Sequence, residues 1–219
     1  MNTMNQPSLA ALQRSRTTIP GAKEVLWAPL YDSFTYPAAG ITGGVRLFQN
    51  QVGNGRTRED TNMQINGQLP AGWHFLAKGV EILFYPGLLP SRVGQDNTLP
   101  AGRANFTNDC YTFFQRGALI LEISDKRLIN ESPLGVFPAQ SGLAAEFALS
   151  DTTTAGATRL SVADYAVNRG AAYRTQDITI FNGYNFNVQI DYPNGAAPLP
   201  SGQPARVYVR LLGYLYRNA

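Results

Sequence analysis

Apolar and polar positions alternate most strictly near the end of the chain. In Asn185–Tyr192, Phe186, Val188, Ile190 and Tyr192 fall on one face and Asn185, Asn187, Gln189 and Asp191 on the other. Over 205–216, Val207, Val209 and Leu211 alternate with Arg206, Tyr208 and Arg210. Period-two alternation is the mark of a half-buried strand. Residues 177–181 form a third run, separated from the 185–192 run by Asn182-Gly183, the residue pair of a β-hairpin turn. Further upstream, 73–85 (WHFLAKGVEILFY) and the short apolar run 118–123 (ALILEI) read as core strands. Val25–Trp27 with Leu30-Tyr31 reads as a first strand interrupted at Pro29, and Val45–Gln49 as a second.

Between these runs the pattern weakens. Residues 53–68 are turn-rich, 87–107 are loop-like, and 108–116 fits either a short helix or a strand. A polar stretch follows 118–123, and the Ala-rich region 139–172 leads to short helices over Leu143–Leu149 and Leu160–Val167. Residues 1–22 form a polar arm. Ser8 can cap a short helix from Ala10 to Arg16, which Pro20-Gly21 ends. Leu9 and Leu12 give the arm a short apolar side, Arg14 and Arg16 its charge, and it contains no acid. The fragment Leu-Pro-Ala-Gly at 69–72 and 99–102, with Leu-Pro-Ser-Gly at 199–202, is recurrent turn chemistry.

Many strands, long connections and few short helices specify an all-β chain in which two sheets face each other, a sandwich or jelly roll. The expected organisation is the arm, 1–22, followed by one domain over 23–219. Composition agrees: Gly and Pro (21 and 14) are dispersed as turn residues and do not form a low-complexity tract. Charged residues make up 15% of the chain, against about 25% in typical domains. A surface so poor in charge suits a subunit covered by further copies. The net charge of +3 comes with no Lys/Arg run, so specific nucleic-acid binding is not expected. No apolar run has the length of a membrane helix, and the N-terminus lacks the continuous apolar core of a secretory signal. Synthesis in a cytoplasm, without export by that route, is expected.

Candidate chemistry is sparse. His74 is the only histidine and stands next to Trp73 in a strand-like segment, where a packing or surface role suits it better than that of a base. Cys110 is the only cysteine, which rules out an intrachain disulfide, and reads as a small buried hydrophobe. One His and one Cys do not make a zinc site, and no phosphate-loop, dinucleotide or EF-hand pattern is present. Glu59-Asp60 could contribute to a Ca²⁺ site, but Arg56 and Arg58 neutralise the pair more simply. The sequons at Asn105 and Asn130 are taken as chance. No catalytic, cofactor-binding or metal residue is assigned, no cofactor or small-molecule substrate is expected, and the chain is not read as an enzyme. Two acids far apart in sequence would nevertheless leave no local mark.

Two segments resemble capsid proteins of tailless, membrane-containing icosahedral bacterial and archaeal viruses. In Asp60–Ile82 a polar loop leads through Gly67-Gln-Leu-Pro70 into a core strand. At the C-terminus, Phe186–Pro193 and Arg206–Arg217 form a strand, a Pro-Gly loop and a final strand. The resemblance implies an upright jelly-roll barrel, single at this length and bearing insertions. It would assemble with copies of itself and other capsid proteins into an icosahedral shell, so the expected location is the virion. The arm, through Leu9, Leu12, Arg14 and Arg16, would dock on a neighbouring subunit, with membrane contact as an accessory role. The alternative is a carbohydrate- or receptor-binding β-sandwich of spike or lectin type, to which 11 Tyr and two Trp would supply stacking surfaces.

Overall fold

The computed structural model describes residues 24–86, 106–137, 142–145, 150–151, 159–160, 165–168 and 172–217. The expected arm, with Leu9, Leu12, Arg14 and Arg16, lies outside them. In chain order the elements are β1 (Glu24–Trp27), β2 (Leu30–Tyr36), β3 (Val45–Leu47), β4 (Trp73–Pro86), helix α1 (Phe106–Arg116), β5 (Ala118–Ile123), β6 (Lys126–Pro133), a 3-10 turn (Leu134–Val136), β7 (Gly142–Ala145), β8 (Ser150–Asp151), β9 (Arg159–Leu160), β10 (Tyr165–Asn168), β11 (Tyr173–Phe181), β12 (Phe186–Asp191) and β13 (Ala205–Arg217). None of the helices among the described residues is long and apolar enough to cross a membrane.

The long C-terminal strand organises the first sheet. β13 pairs with β4 along its whole length on one side. On its other side it pairs with β2 and then β1, the two parts of one strand broken at Pro29, which has no N–H for a ladder. β11 completes this five-stranded sheet beyond β4. The second sheet is four-stranded, in the order β3, β12, β5, β6. All pairings are antiparallel. Apart from the β5–β6 hairpin, the successive long strands from β2 to β6 and from β11 to β13 alternate between the two sheets.

That alternation corrects one expectation. Asn182-Gly183 does form a turn: Gly183 has φ +81° and the Tyr184 N–H donates to the Phe181 carbonyl at 3.3 Å. The strands it joins, however, do not pair with each other. β11 bonds to β4, and β12 bonds to β3 and β5. A turn residue pair fixes a local reversal. Which edges pair is decided by burying each apolar face against the opposite sheet.

The core lies between the sheets. Phe186, Val188, Ile190, Val207, Val209 and Leu211, the residues expected to point inward, are all buried in one cluster. In β4 the inward phase changes partway: Phe75 and Ala77 face the core, then Val80, Ile82 and Phe84. The ladder shows why. Gly79 is opposite Leu212 and Ala77 is opposite Gly213, so Lys78 is an extra residue, a β-bulge. An added residue in a period-two strand exchanges its faces. β11 has its own irregularity at the same place, between Arg174 and Ile178.

Helix α1 settles the helix-or-strand alternative for 108–116. It buries Asp109, Cys110 and Phe113 and leaves Tyr111 exposed. Asp109 in its first turn suits the helix dipole and accepts the Ser201 N–H at 2.8 Å. Phe113 packs edge-on to Tyr36 and tilted against Phe84, and Tyr192 joins the same knot. The buried hydroxyls have partners, Tyr36 with the Ala197 carbonyl at 2.7 Å and Tyr192 with the Phe113 carbonyl at 3.2 Å.

Two further expectations change. The short helices over 143–149 and 160–167 are replaced, in their described parts, by strands: β7 pairs with β10, and β8 with β9. Interstrand pairing overrides alanine's helix propensity, which tertiary context readily outweighs. The polar stretch after β5 is itself a strand, β6, exposed along most of its length as the outer edge of the second sheet.

Candidate interaction surface

β2 would be a bare sheet edge if nothing lay along it, because among the described residues its only ladder partner is β13. The β3–β4 connection covers it. Thr61 forms an antiparallel bridge with Asp32, and the Asn62 side chain bonds to the Tyr31 N–H at 2.9 Å and the Pro29 carbonyl at 2.8 Å. The Tyr31 hydroxyl donates to the Arg58 carbonyl. Blocking an edge in this way prevents strand addition by another chain.

Two ionic anchors hold this strap. On the core side, the buried Asp32 carboxylate accepts the Phe48 N–H at 2.6 Å and the Ser33 N–H at 2.9 Å, with the Arg56 guanidinium 3.4 Å away. Burial pushes the Asp32 carboxyl above its ordinary range; these bonds and Arg56 offset this only in part. On the outer face, Arg206 of β13 reaches Glu59 at 2.9 Å and Asp60 at 2.7 Å, with its guanidinium over the Tyr208 ring. The Arg206 side chain is 6% exposed. Arg56 and Arg58 are therefore not the main partners of the Glu59-Asp60 pair, as the local sequence implied. Arg206 is, and Arg56 turns inward to Asp32. The acids have guanidinium partners; among the described residues no group of three or more His, Cys, Asp or Glu is placed to hold a metal.

Aromatic residues gather at the other end of this outer face, around a small buried cluster of Leu76 and Tyr216. By register, Trp27, Tyr214, Tyr216, His74 and Phe181 share this face. Trp27 meets Tyr214 edge-on at 5.0 Å, His74 meets Phe181 at 5.4 Å, and Phe181 meets Tyr184 at 6.0 Å. Trp27, Phe181 and Tyr184 remain 48%, 42% and 50% exposed. Nearby charges are paired within the chain: Arg210 with Glu81, Lys78 with Asp177 at 2.6 Å and Arg217 with Glu24 at 2.7 Å. The surface therefore offers rings and internally neutralised charge.

The sequence candidates occupy plain positions. Burial holds the His74 ring below its usual pKa, and its Nδ1 lies 3.5 Å from the Asn182 backbone nitrogen. Cys110 is buried, and its thiol is pushed up to about 12 by burial and by Asp109. Asn130 sits on exposed β6, where its side-chain oxygen accepts from Arg127 at 3.4 Å; Asn105 lies outside the described residues. Sequence reasoning missed Arg206 as the centre of the charged anchor. A hint was available, in an arginine placed among the alternating positions of a core strand. Compared with protein-family models, with curated proteins and with solved structures, the chain matches none.

Proposed function

We propose that this chain is a virion shell subunit, a single jelly roll with insertions that assembles with copies of itself and other capsid proteins into an icosahedral shell. The observation that carries the reading is the pair of sheet orders, β2-β13-β4-β11 and β3-β12-β5-β6, with successive strands alternating between sheets. An eight-stranded double sheet wound in this way is the pattern of jelly rolls, which serve as capsid and lectin domains. The resemblance of 60–82 and of the C-terminal strands to capsid proteins favours the first of these.

The outer face around Trp27, Tyr214 and Phe181 is the contact proposed for a second copy. Aromatic residues are enriched at protein contacts and unpaired charge is depleted, which is the character of this surface. With β2 strapped, copies meeting along that edge would do so through side chains and not by strand addition. The N-terminal arm, through Leu9, Leu12, Arg14 and Arg16, is assigned to docking on a neighbouring subunit, with membrane contact as an accessory role.

Sedimentation and negative-stain imaging of the full chain test the reading. Oligomers or closed particles are expected, and Phe181→Glu and Trp27→Glu should disperse them while leaving the circular dichroism spectrum unchanged. A monomer under all salt and pH conditions would overturn it. The exposed Phe181 and Tyr184 rings also favour a second reading, stacking against a sugar in a carbohydrate- or receptor-binding module. A glycan array that captures the monomer, with loss of signal in Tyr184→Ala, would select that reading.

A further inference from the structure

Asn-Gly occurs four times, at 54–55, 66–67, 182–183 and 194–195. This dipeptide is open to spontaneous deamidation. The glycine backbone nitrogen, losing its proton to solvent base, attacks the asparagine Cγ, and a C–N bond forms as ammonia leaves. Water then opens the resulting succinimide to aspartate or isoaspartate. No oxidant or cofactor takes part. The glycine nitrogen must be able to move onto Cγ, so a glycine N–H held in a hydrogen bond slows the step.

The fold divides the four sites. The Gly67 N–H donates to the Phe48 carbonyl at 2.8 Å, and Gly67 is buried. The Asn66 side-chain oxygen is also occupied, accepting the Gln51 N–H at 2.8 Å. The Gly195 N–H donates to the Tyr192 carbonyl at 3.0 Å. Among the described residues neither the Gly55 nor the Gly183 N–H has a partner, and no bond holds the Asn54 or Asn182 side chain. Asn54, Gly55, Asn182 and Gly183 are all exposed.

We propose that Asn182 and Asn54 are modification sites that deamidate spontaneously in the folded protein, while Asn66 and Asn194, in the same dipeptide, are protected by the hydrogen bonds of their glycines. The site at Asn182 has a structural consequence. It lies between Phe181 and Tyr184, with its backbone nitrogen beside His74. Conversion there adds a negative charge to the aromatic surface, and isoaspartate lengthens the turn that joins the two sheets.

The test is peptide mass spectrometry of the full chain during incubation at neutral and mildly alkaline pH. A hydrogen bond that must break before the step is worth about tenfold in rate. Asn182 and Asn54 should therefore convert about tenfold faster than Asn66 and Asn194, an advantage that disappears when the chain is unfolded in urea. Hydrogen exchange provides a second measurement, with fast exchange expected at Gly183 and Gly55 and protection at Gly67 and Gly195. Equal rates at Asn66 and Asn182 in the folded chain, or an order of rates unchanged by urea, would overturn the proposal.

Discussion

Arg206 and Asp60 are 146 residues apart in the chain, yet a guanidinium nitrogen of one lies 2.7 Å from a carboxylate oxygen of the other. This contact fastens the β3–β4 strap over the outer face of β13, and Glu59 shares the same guanidinium. Arg206→Ala should cost about 2 kcal/mol, because it leaves the partly buried Asp60 without its cation. Urea titration measures this loss. Limited trypsin digestion should show faster cleavage after Arg56 and Arg58 as the strap loosens.

Acid should act on the two anchors with opposite signs. Burial pushes Asp60 up, but hydrogen bonds from Thr57 and the charges of Arg206 and Arg56 outweigh it and hold the carboxyl below 3.8. Its contribution is therefore complete above 3.8 and is lost as the pH falls through its folded value. Asp32 is raised by burial, so its folded form takes up a proton first. The charged form weakens the fold, and that cost is relieved as the pH falls through its folded value toward 3.8. Urea titrations over a pH series should show the low-pH decline reduced in Asp60→Asn and the relief on acidification absent in Asp32→Asn. The same pH profile in wild type and both variants would contradict the two-anchor description.

Gly213 lies opposite Ala77 beside the Lys78 bulge, and a Cβ there would sit 2.0 Å from the Leu76 carbonyl oxygen. Backbone must move to admit a methyl group, so Gly213→Ala should destabilise by about 3 kcal/mol or more. Gly183→Ala meets no atom within 4 Å and bears only the strain of φ +81°. It should cost about 1 kcal/mol. Thermal unfolding of the two variants gives the comparison.

Cys110 should be inert in the folded protein. With its thiol pushed up to about 12 and its side chain buried in α1, little thiolate forms at pH 8 and reagents have no access. A thiol-reactive dye should label the chain in denaturant and leave the native chain unlabelled over the same interval.

Much of the core is legible in the sequence. Strict alternation in 185–192 and 205–211 identifies the inward faces, because a strand buried on one side must repeat every second residue. Asn182-Gly183 marks its turn for an equally local reason, since the glycine accepts a positive φ. What local pattern could not decide depends on partners distant in sequence. The extra residue at Lys78 exists only relative to β13, so the change of phase in β4 does not show in β4 alone. Polar β6 is a strand because β5 offers it an edge, and β7 and β10 are strands because they meet each other. The local sequence offers Glu59-Asp60 the neighbouring Arg56 and Arg58, whereas folding supplies Arg206 from the last strand. Periodicity records which side of an element meets water. Which elements meet each other is set by how the sheets close over their common core, and only the tertiary structure contains that.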